Sequence, residues 1–189
     1  MRQRTTSALI RHHRIDIRYW ILRVATLVLV ASCSSGPWIG SRYGDPQRKY
    51  FHDAVDIGAR LGDPVLASAD GFVAVIENDG FIGMEVRIVH DRIEADLRSK
   101  GAHLVTGYLH LRRVTVGRGE RVSRGQVIGE VGLFAASNYI PHVHWRVCTS
   151  QGCWPGDTLD PLTLTSGCFK SGKTYSNEKL SLTYPIKCR

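Results

Sequence analysis

Two histidines separated by one residue, His142 and His144, lie in a run of strand-like composition at 141–145. Successive side chains of a β-strand point to opposite faces, so these two imidazoles are predicted to share one face. Neutral imidazole is an ordinary ligand for zinc, and it is also the side chain that most often transfers protons near neutral pH. The pair therefore indicates a metal centre or a proton-transfer site, provided that other polar groups reach the same face.

The best candidates for those groups are distant in the sequence: His52, Asp56 and His110. Carboxylate and imidazole both ligate zinc, and a catalytic zinc ion takes three protein ligands and keeps a fourth position open. Five candidate side chains would supply three ligands and leave two imidazoles for acid–base work. We interpret residues 50–162 as a scaffold that gathers all five around one divalent metal ion.

The elements that would position these residues are short strands. Runs of strand-like composition, separated by turn residues, occur at 64–67, 71–77, 84–89, 105–111, 127–131 and 143–147. The 19 glycines and 7 prolines also indicate many turns. A helical period is suggested only in a charged insertion at 92–100. We therefore predict an all-β, β-rich domain with a compact, mostly antiparallel sheet.

The formal charge of +8 points to nucleic acid at first sight, but its location argues against that partner. Residues 1–32 hold six of the 25 basic residues and one of the 17 acidic ones, which leaves 19 basic and 16 acidic residues and a net charge of +3. No basic patch with interleaved aromatic residues remains in the rest of the chain. We predict that the protein does not bind nucleic acid.

The basic segment 1–32 is predicted to be an export signal, because a positive start is followed by a short apolar stretch at 24–31 and then by small residues. That stretch is too short to span a bilayer permanently as a helix. Val30-Ala31-Ser32-Cys33 resembles the lipobox of bacterial lipoproteins, in which the cysteine becomes the lipidated first residue. An ordinary signal peptide with a nearby cysteine is the alternative.

Lipidation of Cys33 would attach the protein to a membrane of the bacterial envelope through an N-terminal lipid anchor. Ser34 after the cysteine would allow transfer to an outer membrane, with the protein facing the periplasm. Residues 33–49 would then form a tether, since they contain Gly, Pro and Ser.

Five cysteines are an odd number for an exported protein, and assigning Cys33 to lipid leaves an even set of four. Three pairings are possible. We favour Cys148–Cys153 and Cys168–Cys188, because closure between neighbours suits a hairpin-like end at 164–189. A zinc knuckle is the rival interpretation, although no Cys-x-x-Cys pair is present. Disulfides would indicate an oxidising compartment, in agreement with export.

The order of the motifs resembles a known family, the lysostaphin-type (LytM-like) zinc endopeptidases that cut peptide cross-bridges in bacterial peptidoglycan. The matching blocks, in chain order, include His52-x-x-x-Asp56-Ile57-Gly58, Gly62-Asp63-Pro64-Val65, Tyr108-Leu109-His110-Leu111, Val122-x-x-Gly125-Gln126, Pro141-His142-Val143-His144 and Asp160-Pro161-Leu162. The resemblance covers about 50–163, which we take as the zinc peptidase domain, followed by a disulfide-clamped extension at 164–189. It implies the compact barrel-sandwich core of that family, with long loops.

By this resemblance, His52, Asp56 and His144 hold one zinc ion per chain, and His110 and His142 are the catalytic partners. The implied activity is hydrolysis of cross-links or stem peptides of peptidoglycan, and the implied partners are those peptides. Ala54 stands where the family usually has Gly, and Met84 where Asn is common. The segment 91–107 is longer than usual and is expected near the substrate groove.

Three other functions deserve comparison. A non-catalytic envelope regulator would keep the fold and activate a cell-wall amidase, but such relatives typically lose site residues, and all five are present here. A structural lipoprotein that binds peptidoglycan would need neither His110 nor His142. A biotinyl or lipoyl carrier would need a modifiable lysine at a hairpin tip, and between Pro64 and Gly125 the chain has only Lys100.

Overall fold

The computed structural model describes residues 36–91, 103–154, 156–175 and 181–188. The predicted export signal, the lipidation site Cys33 and the helical segment 92–100 lie outside the described residues. Within the described ranges, no helix has the length and apolar character needed to cross a membrane.

Ten strands are found in the described part of the chain. They are β1 (Ile39–Ser41), β2 (Val55–Gly58), β3 (Pro64–Leu66), β4 (Gly71–Asp79), β5 (Gly83–His90), β6 (Val105–Val114), β7 (Arg121–Val122), β8 (Val127–Val131), β9 (His142–Cys148) and β10 (Thr158–Leu159). Two short 3-10 helices, Ala135–Ser137 and Pro161–Leu164, complete the elements. The six predicted strands correspond to β3, β4, β5, β6, β8 and β9, so the all-β prediction is confirmed.

The strands form one antiparallel sheet whose main order is β1-β2-β9-β6-β5-β4-β7. Strand β10 pairs with β9, and β8 joins β3 to β6. Four of the five candidate residues lie on three neighbouring strands, β2, β9 and β6, and His52 lies in the loop before β2. The sheet therefore brings segments that are far apart in the sequence to adjacent positions.

The core lies around β6 and β9. Trp145 and Tyr108 are its largest fully buried side chains, and they face each other across these strands in the β6–β9 register. In β6 every residue from 105 to 111 is buried. Burial of large side chains is the main stabilising contribution to such a sheet, so the strands that hold the site are also well anchored.

The segment predicted as a tether, 33–49, contributes strand β1 to the sheet. Ile39 pairs with Ile57, and Ser41 pairs with Asp56. The side chain of Trp38 lies over Gly58, where a Cβ atom would clash with the indole ring. The strand was not predicted because three residues are too few to show an alternating pattern.

Both predicted disulfides, Cys148–Cys153 and Cys168–Cys188, are present. A hairpin would pair the two parts of the extension antiparallel. In the described residues, Thr165 and Leu182 instead form a parallel bridge. The extension also covers β3, where the backbone N–H of Leu66 donates to the carbonyl of Pro185, at 2.8 Å. The two described parts of the extension therefore pair in parallel and are bonded to the core.

Candidate metal centre

The sheet register brings the predicted motifs together. In the β2–β9 pair, Asp56 lies opposite His144 and Gly58 lies opposite His142. Across the β6–β9 pair, His144 lies opposite Leu109, next to His110. These antiparallel pairings place residues from three distant motifs in one neighbourhood.

Three of the predicted residues form a candidate metal-binding group. One ligand atom from each of His52, Asp56 and His144 lies within 4.8 Å of the other two. Oδ1 of Asp56 is 3.2 Å from Nε2 of His52 and 3.0 Å from Nδ1 of His144. Two imidazoles and one carboxylate are a ligand set that zinc accepts in catalytic sites.

The tautomer of His52 supports a cation between these groups. Its Nδ1 donates to the backbone carbonyl of Arg42 at 2.7 Å, since a carbonyl oxygen can only accept. Nε2 then presents a lone pair toward the Asp56 carboxylate, which also presents lone pairs. Two acceptors that face each other are stabilised by a shared cation, so the residues fit a zinc ion.

The carboxyl group of Asp56 is held in its ionised form. Burial by itself would raise its pKa, but the adjacent imidazoles of His144 and His52 outweigh burial and lower the pKa well below its usual range. Its other oxygen, Oδ2, pairs with the guanidinium of Arg48. An ionised carboxylate is the form that binds metal.

His144 has a second carboxylate partner that the sequence interpretation missed. Its Nε2 lies 3.4 Å from Oδ1 of Asp53, and the other carboxylate oxygen of Asp53 lies 3.5 Å from Arg146. Burial tends to lower the pKa of His144, but the neighbouring carboxylates of Asp53 and Asp56 raise it. A carboxylate behind a ligating imidazole fixes its ring and tautomer, and leaves Nδ1 for the metal. The only signal in the sequence was an acid directly after His52.

The two remaining imidazoles, His110 and His142, lie beside this group, with ring centroids 4.9 Å apart. Nδ1 of His110 donates to the carbonyl of Ile82 at 2.8 Å, and Nδ1 of His142 donates to the carbonyl of Ile140 at 2.7 Å. Each ring therefore keeps Nε2 as a proton acceptor. Burial lowers the pKa of both, that of His110 to about 4, so both are neutral at pH 7.

His110 also has an unusual backbone conformation, with a φ of 65°. Residues other than glycine rarely adopt a left-handed conformation, and such strain is concentrated at functional sites. The β6–β8 register shifts between Leu111 and Arg113, directly after this residue. The strand is therefore irregular at the position of His110.

The departures from the family pattern are accommodated. Ala54 is fully buried directly before β2, so its methyl group packs in the core beside the candidate ligands. Met84 lies on β5 opposite Leu111 and is partly buried against the main core. Of the long segment 91–107, only Asp91 and residues 103–107 are described.

Comparison with known proteins agrees with this geometry. The sequence model of Peptidase family M23 matches residues 50–160. The peptidoglycan DD-endopeptidase ShyA of Vibrio cholerae serotype O1 is 34% identical over 96 residues, which are 51% of this chain and 20% of that protein. The chain thus spans about a fifth of the length of this relative and of two further Vibrio cholerae peptidoglycan DD-endopeptidases, ShyC and ShyB.

Two solved structures share the fold. The catalytic domain of lysostaphin from Staphylococcus simulans superposes with a TM-score of 0.56 at 23% identity, covering 67% of this chain and 90% of that one. A zinc-containing peptidase from Vibrio cholerae gives a TM-score of 0.52 at 26% identity, covering 66% of this chain and 36% of that one. The family match extends over more than half of the sequence, and the chain therefore belongs to peptidase family M23, whose members are zinc metallopeptidases.

Proposed function

We propose that the protein is a zinc-dependent endopeptidase that hydrolyses cross-links or stem peptides of bacterial peptidoglycan. The observation that carries this proposal is the convergence of His52, Asp56 and His144 within 4.8 Å, beside two imidazoles that are each held through Nδ1 by a backbone carbonyl. The relatives named as peptidoglycan DD-endopeptidases support the choice of substrate.

His52, Asp56 and His144 would hold the zinc ion. When bound, zinc supplies a Lewis acid for the scissile amide and its attacking water. Nε2 of His110 or His142 accepts the proton of that water, because burial keeps both imidazoles neutral. The protonated imidazole then donates to the developing oxyanion or to the leaving amine.

The location of these groups suits a reaction on a peptide. His110 and His142 are tied through Nδ1 to backbone carbonyls, so their rings are oriented before the substrate binds. A fixed orientation lowers the entropic part of the barrier. We further propose that the protein acts in the cell envelope, attached through lipid at Cys33, where its substrate is found.

The test is incubation of the purified protein with peptidoglycan sacculi, with and without a zinc chelator, followed by mass spectrometry of the released fragments. We expect release of peptides with a newly formed amine and carboxylate, inhibition by the chelator and recovery when zinc is added. The variant His142→Ala serves as the inactive control.

Absence of chelator-sensitive release would contradict the proposed hydrolysis. If the protein then stimulates a purified cell-wall amidase on the same sacculi, a regulatory function replaces the enzymatic one. The two results use one substrate preparation, so they are directly comparable.

A further inference from the structure

We propose that Arg48 binds a free carboxylate of the substrate, and that the substrate is therefore a peptide with an acidic group close to the scissile amide. This inference rests on the proposed endopeptidase function and adds the chemical class of its substrate. It comes from a cleft next to the candidate metal centre and from the single arginine in its wall.

The cleft has a volume of about 270 Å³ and reaches the metal centre at Asp56 and His142. Its lining includes Trp38, Gly40 and residues in the segment 136–140. A peptide bound at the metal centre would extend naturally into this space. The exposed indole of Trp38 gives that peptide an apolar surface to contact.

Among the described residues that line the cleft, Arg48 is the only basic one apart from the neutral His142. Its guanidinium is held from two sides, because one amino nitrogen pairs with Oδ2 of Asp56 and Nε donates to Oγ of Ser41 at 3.2 Å. Ser41 is itself fixed, since it belongs to β1 and its hydroxyl donates to Asp45 at 2.8 Å. The cation is thus placed by the sheet.

The guanidinium retains donors for a ligand. Arginine has five N–H groups, and its bonds to the described residues start from Nε and one amino nitrogen. The side chain is 41% exposed, whereas that of Asp56 is 6% exposed. The planar arrangement of arginine donors matches a carboxylate better than it matches a neutral amide.

The charges at the centre also favour an anionic group. Oδ1 of Asp56 faces His52 and His144, so that oxygen would bind the metal ion, and Oδ2 faces Arg48. The metal ion would compensate the carboxylate charge and leave the cation of Arg48 beside a cleft whose only acidic residue is Asp56. A substrate carboxylate would restore the balance of charge there.

The test uses two synthetic peptides that differ only in a carboxylate or a carboxamide next to the scissile amide. We expect the zinc-loaded protein to prefer the carboxylate peptide by about 10-fold or more in kcat/KM. Arg48→Gln should bring this ratio close to one while the zinc content stays the same, and Arg48→Lys should give an intermediate ratio. Arg118→Gln removes the same charge from an exposed turn and should leave the ratio unchanged.

Three results would overturn the proposal. The first is an equal kcat/KM of the wild type for both peptides, and the second is an unchanged kcat/KM ratio in Arg48→Gln. The third is loss of zinc from Arg48→Gln together with an equal reduction of kcat/KM for both peptides. The last result would mean that Arg48 only positions Asp56. Calorimetric binding of both peptides separates this proposal from the proposed function. If neither peptide is hydrolysed, a carboxylate preference in binding that Arg48→Gln removes still supports it, and equal binding refutes it.

Discussion

The opposite ends of the β5–β6 strand pair each contain a buried histidine. The two histidines differ in the hydrogen bonds of their ring nitrogens, and this difference decides their roles. His90 ends β5, and His110 lies near the other end of the pair, bonded to the carbonyl of Ile82 just before β5. Burial lowers the pKa of both to about 4. A lowered pKa therefore does not distinguish a structural histidine from a reactive one.

The ring nitrogens do distinguish them. In His90, Nδ1 donates to the carbonyl of Asp70 at 3.0 Å, and Nε2 is hydrogen-bonded to the hydroxyl of Thr106 at 2.8 Å. The hydroxyl of Tyr108 extends this buried network and accepts from the amide of Ser68 at 2.8 Å. In His110, only Nδ1 is hydrogen-bonded within the described residues, and the ring centroid lies 5.7 Å from that of His144 in the candidate metal centre. A histidine with both ring nitrogens hydrogen-bonded within the protein stabilises the fold. A histidine with one nitrogen left unbonded can transfer a proton.

The largest expected effect is at the ligands. We predict that His144→Ala abolishes stoichiometric zinc binding and hydrolysis, because two remaining ligands do not make a catalytic zinc site. Zinc content by mass spectrometry and release from sacculi measure the two properties. His103→Ala replaces an exposed histidine and should retain both. Full zinc occupancy in His144→Ala would refute the ligand assignment.

The next effect is at the two free imidazoles. We predict that His110→Ala and His142→Ala each lower kcat by about 100- to 10,000-fold while zinc remains bound, because each removes a proton-transfer group and no ligand. Steady-state kinetics together with zinc analysis would show this pattern. A variant that keeps full turnover would exclude that residue from the mechanism.

A smaller effect is expected at Asp53, which orients His144. We predict that Asp53→Asn weakens zinc binding by about 10- to 100-fold, because the amide is a poorer acceptor for the imidazole N–H. Competition with a chromophoric chelator measures the affinity. Asp91→Asn is the matched control, since Asp91 is exposed and also pairs with an arginine. Equal affinities in the two variants would show that Asp53 has no such role.

The smallest effect on function is expected at His90, where stability should change instead. Burial lowers the pKa of His90 from its ordinary value of 6.5 to about 4, so the folded state keeps this imidazole neutral over that interval. As the pH falls from 6.5 to 4, the unfolded chain binds a proton that the folded chain does not, so the free energy of unfolding falls by up to about 3 kcal/mol.

His90→Gln should therefore show a weaker pH dependence of stability over this interval while it retains zinc. Denaturant unfolding at several pH values, compared with the wild type, gives the difference. Identical slopes for the two proteins would mean that His90 does not titrate in this way.

Much of the fold was predictable because long, alternating strands show a local pattern. The runs that became β5, β6 and β9 were found within a few residues of their ends. Strands β1 and β7 have three and two residues, so local pattern could not reveal them, and only pairing with a longer strand makes them visible.

The site residues were predictable where their spacing in the sequence places them on one face of a strand, as for His142 and His144. The left-handed backbone of His110 and the contacts of Asp53 and Arg48 were not. They depend on sheet register and on segments distant in the sequence, for which neighbouring residues give no pattern. Residues that orient the ligands therefore required coordinates.

The most direct measurement is an anomalous difference map at the zinc absorption edge from crystals of the zinc-loaded protein. We predict one strong peak about 2.0–2.2 Å from Nε2 of His52, a carboxylate oxygen of Asp56 and Nδ1 of His144, with His110 and His142 nearby but outside ligand distance. A peak bound by other residues, or none at these three side chains, would contradict the assignment of this centre.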